Sequence, residues 1–139
     1  MWLSQQRRES ARRETVAETG TVTLGGDTAG VYLSGERRGL PVYSPGGYQW
    51  RPMTGQQVLV LKAGADGESP VVAGVRQGSA PGPGEVRVSN GNGSAAVCLR
   101  ASGELALTGR VTLNGEELEN VLRKMVIDIL TDLNGEGGS

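Results

Sequence analysis

VCLRASGELALTGRVTLNG, Val97–Gly115, is the stretch whose reading decides the fold. Apolar side chains keep one parity, at Val97, Leu99, Ala101, Leu105, Leu107, Val111 and Leu113; Cys98, Arg100, Ser102, Glu104, Thr108, Arg110, Thr112 and Asn114 keep the other. A period of two marks half-buried β-structure. Gly103, Gly109 and Gly115 interrupt it every six residues, each after a small polar residue (Ser102, Thr108, Asn114), so only strands of a few residues fit.

Aligned on its glycines the repeat reads GELALT (Gly103–Thr108) and GRVTLN (Gly109–Asn114), with VCLRAS (Val97–Ser102) as an earlier, degenerate copy. Two architectures compete. One is a meander with Ser-Gly, Thr-Gly and Asn-Gly two-residue turns, of which Asn-Gly is the best type I′ former. Four-residue strands with two inward side chains each bury little apolar surface, however, and an isolated pair of them is marginal in water. The other is a narrow β-prism in which each hexad supplies one short strand and one glycine corner, glycine turning there without a Cβ penalty. One chain has too little apolar area for such a core, so copies wrap around a common axis, and three of them make a triangular prism. The intertwined form is the expectation.

After the repeat the periodicity changes to that of a helix. Leu118, Leu122, Met125 and Ile129 are spaced four, three and four apart, and Val121, Val126, Leu130 and Leu133 widen the stripe. Asn114 with Glu117 resembles a capping box, and Asn134-Gly135 is a stop signal. The predicted helix spans 116–134 and GEGGS, 135–139, reads as a disordered tail.

Before the repeat, short β-like runs separated by turns occupy Ala17–Leu24, Gly30–Ser34, Leu40–Tyr43, Tyr48–Arg51, Gln57–Lys62, Pro70–Val75 and Val86–Ser89. Five or six short strands in this length suit a small closed barrel, which removes open sheet edges. Val58-Leu59-Val60-Leu61 reads as a central strand buried on both sides, paired across Ala65-Asp66-Gly67 with Pro70–Val75. SAPGPGE (Ser79–Glu85) interleaves prolines with glycines and marks a domain boundary near Gly84. Residues 1–15, with Arg7, Arg8, Arg12 and Arg13 against Glu9 and Glu14, read as a short helix or a solvated arm.

Composition narrows the function classes. The 139 residues include 23 Gly, no Phe and only 2 Trp and 3 Tyr, and the net charge is −1. Many turns and few bulky core fillers argue against one large globular core, and the charge balance provides no general attraction to nucleic acid or anionic membranes. With one Cys and no His, neither an intrachain disulfide nor a Cys-His pair can form, and no metal-ligand cluster or phosphate loop is present. No enzyme activity, cofactor or metal is expected. MWLSQQRRESARRET lacks the apolar core of a signal peptide, so synthesis in a cytoplasm is the expectation.

The order of these parts carries a resemblance. A small barrel ending in TGQQVLVLKAGADGESPVVAGVRQGSAPGPGE (Thr54–Glu85), a Gly/Asn link and then SGELALTGRVTLNG resembles the phage baseplate assembly protein V family, the central spike proteins of contractile tails, related to type VI secretion spikes. It covers about residues 16–115. The resemblance implies an OB-fold barrel followed by a trimeric β-helix on the axis of the tail tube. Many family spikes end in a metal-bound tip built on a His-x-His motif; this chain has no His, so that site is not carried over.

The expected fold is thus mainly β: an N-terminal arm (1–15), a small OB-like antiparallel barrel (16–84), a short intertwined trimeric β-helix or prism (85–115) and a C-terminal α-helix (116–134). The expected function is structural, a homotrimeric central spike or hub of a phage tail baseplate or tail-like contractile injection machine. Its trimer interface is expected at Leu99, Leu105, Leu107, Val111, Leu113, Leu118, Leu122, Met125 and Ile129. Implied partners are two further copies, other baseplate or tail-tube hub proteins and, as an option, a separate tip protein; no nucleic acid is expected, and no membrane in the resting state. Implied locations are the bacterial cytoplasm during assembly and then the virion tail or tail-like particle. The alternative is an OB-fold module for single-stranded nucleic acid, with Tyr32, Tyr43, Tyr48 and Trp50 to stack on bases and Arg37, Arg38 and Arg51 to meet phosphates. In a Phe-free chain those aromatics are expected instead in the core. The sequence leaves open whether the helix bundles on the axis or folds back on the barrel.

Overall fold

The computed structural model describes residues 16–136, so the arm at 1–15 and residues 137–139 of the tail lie outside the described residues. The fold is mainly β, built of antiparallel sheets, with one C-terminal helix. The chain divides into two compact units between Ala80 and Pro81, inside the Ser79–Glu85 stretch.

The first unit holds β1 (Ala17–Leu24), β2 (Thr28–Tyr32), β3 (Glu36–Pro41), β4 (Gln57–Ala63) and β5 (Ser69–Val75) in one sheet of order β3-β2-β1-β4-β5. All its ladders are antiparallel. The β4–β5 hairpin turns at Ala65-Asp66-Gly67, with Ala63 opposite Ser69 and Gly67 at φ 70°. Tyr48–Arg51 forms no strand; Trp50 from that loop packs on the core, and its indole N–H donates to the Tyr43 carbonyl at 3.1 Å.

The core lies on one face of this sheet. Val22, Ala29, Val31, Leu40, Val58, Val60 and Val72 are buried together, with Leu33, Val42, Trp50 and Val75 against them. Alternation accounts for the selection: Val58 and Val60 point inward, while Leu59 and Leu61 on the same strand are 43% and 40% exposed. The expectation that β4 is buried on both sides is therefore corrected, because this antiparallel sheet covers only one of its faces. The expected closed barrel is also absent as a continuous ladder. β3 and β5 are the outer strands of the sheet, and the chain just after β3 meets β5 through one parallel bridge, Val42 to Val72, with Tyr43 N–H donating to Val72 O at 2.9 Å. Pro41, which lacks an amide hydrogen, stands immediately before that bridge.

The second unit holds β6 (Val86–Ser89), β7 (Ala96–Leu99) and β8 (Leu105–Thr108) in a three-stranded sheet of order β6-β7-β8. A two-stranded hairpin follows, β9 (Thr112–Leu113) with β10 (Glu116–Glu117), and then helix α1 (Leu118–Glu136). The helix begins two residues later than predicted because Asn114, expected to cap it, is a turn residue of this hairpin. Asn114 and Gly115 both have positive φ, 51° and 82°, the signature of a two-residue type I′ turn. At the other end the helix runs through Asn134-Gly135 to Glu136, so the expected stop and the first residues of the expected tail are helical.

Candidate functional site

The three glycines that punctuate the repeat have three different structural reasons. Gly103 closes a three-residue loop between β7 and β8: its N–H donates to Arg100 O at 2.9 Å, Arg100 N–H donates to Glu104 O at 2.9 Å, and its φ is 90°. This is the hairpin form in which a turn is followed by a left-handed residue. Gly115 lies in the type I′ turn. Gly109 is needed for close approach: at φ 110°, a Cβ there would stand 2.9 Å from Ser94 O and 3.1 Å from Ala95 Cα. Gly109→Ala is therefore expected to lower the thermal midpoint more than Gly103→Ala, which meets the same backbone strain but no atom within 4 Å. Equal losses would show that contact with Ser94 does not demand glycine.

Within one chain the first two hexads thus pair as a hairpin, and Asn-Gly turns a second, shorter one. Strand register makes the first hairpin matter. Val86, Leu99 and Leu105 stand side by side across β6, β7 and β8, and so do Val88, Val97 and Leu107. Residues directly opposite share a face and alternate residues return to it, so these six aliphatic side chains form one surface. All of them are exposed, from 40% at Val97 to 60% at Leu105. The other face carries Arg87, Cys98 and Ala106 in one row and Ser89, Ala96 and Thr108 in the next.

Among the described residues, Ala96 is the only buried hydrophobic residue of this unit. Full burial of a Val or Leu side chain contributes on the order of 1.5–3 kcal/mol, and the single chain leaves about half of that unrealised at each of these six residues. Contiguous exposed apolar surface of this kind is characteristic of protein or membrane contact sites and of ligand grooves. Comparison with protein-family models finds no match, and no curated protein matches the chain.

The sequence-predicted interface residues fall into three groups. Leu99, Leu105 and Leu107 lie together on the sheet face. Val111 and Leu113 do not join them: Val111 is half-buried just before β9, its carbonyl accepting the Leu118 N–H at 2.9 Å, and Leu113 is exposed on β9. Leu118 is half-buried at the start of α1, whereas Leu122, Met125 and Ile129 are exposed along it, as are Val126, Leu130 and Leu133. Sequence reasoning left Val86 and Val88 out of the set because they precede the Asn-Gly link; their Val-x-Val alternation was the available signal. Ala101, which shares the apolar parity, sits in the β7–β8 loop instead.

Charge is tied up locally. Arg100 pairs with Glu104 at 3.5 Å, Arg123 with Glu119 at 2.7 Å, Lys124 with Glu116, and Arg110 with Glu117. These are exposed pairs of small energetic weight. Glu116 and Glu117, which fall inside the helix predicted from sequence, are half-buried strand residues of β10. Among the described residues no group of three or more His, Cys, Asp or Glu is placed to hold a metal ion, and no helix is long and apolar enough to cross a membrane.

The aromatic residues correct a further expectation. Tyr32, Tyr43 and Tyr48 are exposed, and only Trp50 of the four packs on the core. The core is filled by β-branched Val instead, whose shape suits a pleated surface. Of the three arginines considered with them, Arg51 is paired with Asp27 and Arg38 lies 3.7 Å from Glu36.

Proposed function

We propose that this chain is a structural protein acting as a homotrimer, the central spike or hub of a phage tail baseplate or tail-like contractile injection machine, similar to the baseplate assembly protein V family. The observation that carries the reading is the in-register apolar face of β6, β7 and β8, exposed in a unit without an aliphatic core of its own. Copies of the same face, brought together around one axis, bury it without needing any other protein. In the assembled form the Gly-punctuated strands are the rungs of a short prism, and Leu99, Leu105 and Leu107 form its shared core together with Val86, Val88 and Val97.

The first unit fits the same reading. The order β3-β2-β1-β4-β5, with one parallel bridge from just after β3 to β5, supports reading this unit as a partly open barrel of the OB type. Strands paired around an axis carry compressive load without an open edge, and burial between chains makes their separation costly. The partners above and below such a trimer are other baseplate or tail-tube hub proteins. The protein gathers in the bacterial cytoplasm during assembly and resides afterwards in the tail.

The exposure of Tyr32, Tyr43 and Tyr48 keeps one other reading in view, a barrel that stacks single-stranded nucleic acid. One experiment separates the two: absolute mass by light scattering across a wide dilution range, with oligonucleotide binding measured on the same preparation. The expected result is a mass of three chains that persists on dilution. A single chain whose affinity for single-stranded oligonucleotides falls with salt would overturn the spike reading in favour of the binding module.

A further inference from the structure

We propose that helix α1 is the element that holds the three chains parallel and in register, packing against the α1 helices of two further copies through Leu122, Val126, Ile129 and Leu133; this rests on the homotrimer reading above. These four residues are spaced four, three and four apart and are exposed, from 51% at Leu122 to 61% at Leu133. That is the d-a-d-a spacing of a heptad seam. The neighbouring line through Leu118, Leu122, Met125 and Ile129 leads next to Asp132, which would put a carboxylate in the seam. Moving over by one row keeps the last turn apolar at Leu133.

The flanks of this seam say how many helices fit. Met125 occupies a g position and Leu130 an e position, both apolar and both 54% exposed. In a parallel bundle a g residue faces the e residue five positions later on the next helix, so Met125 meets Leu130 of the partner subunit. Apolar flanks widen the contact beyond the narrow strip of a two-stranded coil. Ile129 at d with Leu133 at a is the combination that shifts preference to three or more strands, while Val126 at a with Leu122 at d is the two-stranded one, so the apolar flanks decide for three. Arg123 and Lys124 are held by Glu119 and Glu116 of their own chain, so no basic residue competes for the seam.

The occupant follows from the period and from symmetry. Most of a helix's stability in a protein comes from packing of its apolar face, and α1 exposes its stripe along its length. An apolar repeat of 3.5 residues over three turns is matched by another helix with the same repeat. Threefold closure around the rungs supplies two of them, necessarily parallel and at the same height. A helix also forms from local contacts, ahead of strand pairing between chains, so bundled helices raise the effective concentration at which the sheet faces meet.

The test uses the full chain with its single cysteine removed, Cys98→Ser, carrying either Leu133→Cys in the seam or Ile127→Cys on the opposite side of the helix. Each is oxidised mildly and run on a non-reducing gel, with mass by light scattering before oxidation. The disulfide needs Cα atoms within about 7 Å, so Leu133→Cys should form a two-chain band at least about tenfold more intense than Ile127→Cys. Val126→Cys, earlier in the same seam, should behave as Leu133→Cys does and serves if that variant folds poorly. A trimer in which the seam cysteines do not cross-link, or in which Ile127→Cys cross-links as well, overturns the helix bundle and leaves the trimer standing. A wild-type chain that runs as a monomer overturns the trimer, and the bundle with it.

Discussion

If the proposed trimer forms, replacing Leu105 and Leu107 together by Glu is expected to leave single chains in solution. Both side chains lie on the apolar face of β8, in register with Leu99 and Val97 of β7, and each is more than half exposed in the isolated chain. Nothing inside one chain depends on their burial, so folding of the first unit is expected to continue unchanged. In the proposed trimer each substitution occurs three times around one axis. Each leucine is already partly covered in the single chain, so every copy loses roughly half of the about 1.5–3 kcal/mol that full burial contributes. The six carboxylates would also sit close together in a desolvated core, at a cost of several kcal/mol for each one left unpaired. Association free energies of protein complexes rarely exceed about 20 kcal/mol, so losses of this size remove assembly at micromolar concentration. Light scattering should show the mass fall from three chains to one, while Arg87→Ser on the opposite face leaves it unchanged. A double variant that keeps three chains would show that this face is not the shared core.

Leu40→Ala strikes the first unit in the same decisive way. Leu40, on β3, is 2% exposed and is the largest side chain in a core otherwise made of Val and one Ala. Truncating a buried leucine costs about 2–5 kcal/mol, the upper end applying where the surroundings cannot collapse into the cavity. Sheet-bound Val22, Val31, Val58, Val60 and Val72 have their backbones fixed by ladders and few rotamers with which to fill it. A domain this small has roughly 5–15 kcal/mol of total stability, so the loss is a large share. Denaturant unfolding followed by the fluorescence of Trp50, which packs on the core, should show a clear drop in midpoint. Leu61→Ala, removing a side chain that is 40% exposed on the outer face, should cost much less. Equal losses would mean that the sheet buries both faces after all.

The same alternation explains what was legible in the sequence and what was not. Strands β1, β4, β5 and β6 and the hairpin across Ala65-Asp66-Gly67 could be read from short-range pattern, because period two and turn chemistry act within a few residues. β3 lies further toward the N-terminus than predicted, at Glu36–Pro41, since its Glu36, Arg37 and Arg38 are polar and only pairing with β2 makes the segment a strand. Leu59 and Leu61 misled in the opposite direction: a run of four aliphatic residues looks doubly buried, but which face is covered depends on what the sheet packs against. At the candidate site, Leu99, Leu105 and Leu107 were legible from parity. Val86 and Val88 were not linked to them, because the link is a register across the intervening Asn-Gly turn rather than a spacing along the chain.

By itself the sequence determined the local matters: a β-rich chain, its Pro/Gly break after Ser79, alternation in Val97–Leu113, and a helix with an apolar stripe near the C-terminus. Such features follow from side-chain period and from backbone restrictions at Gly and Pro, which need no distant partner. Tertiary structure alone decided that Gly103, Gly109 and Gly115 turn, yield space and turn again for separate reasons. It alone decided that Asn114 belongs to a hairpin rather than a helix cap, since that choice depends on whether Thr112 and Glu117 pair. It also decided that the tyrosines stay outside while valines fill the core, and that six aliphatic side chains from three strands meet on one uncovered face. Each of these is a competition between contacts far apart in the chain, and only the folded arrangement sets their relative energies.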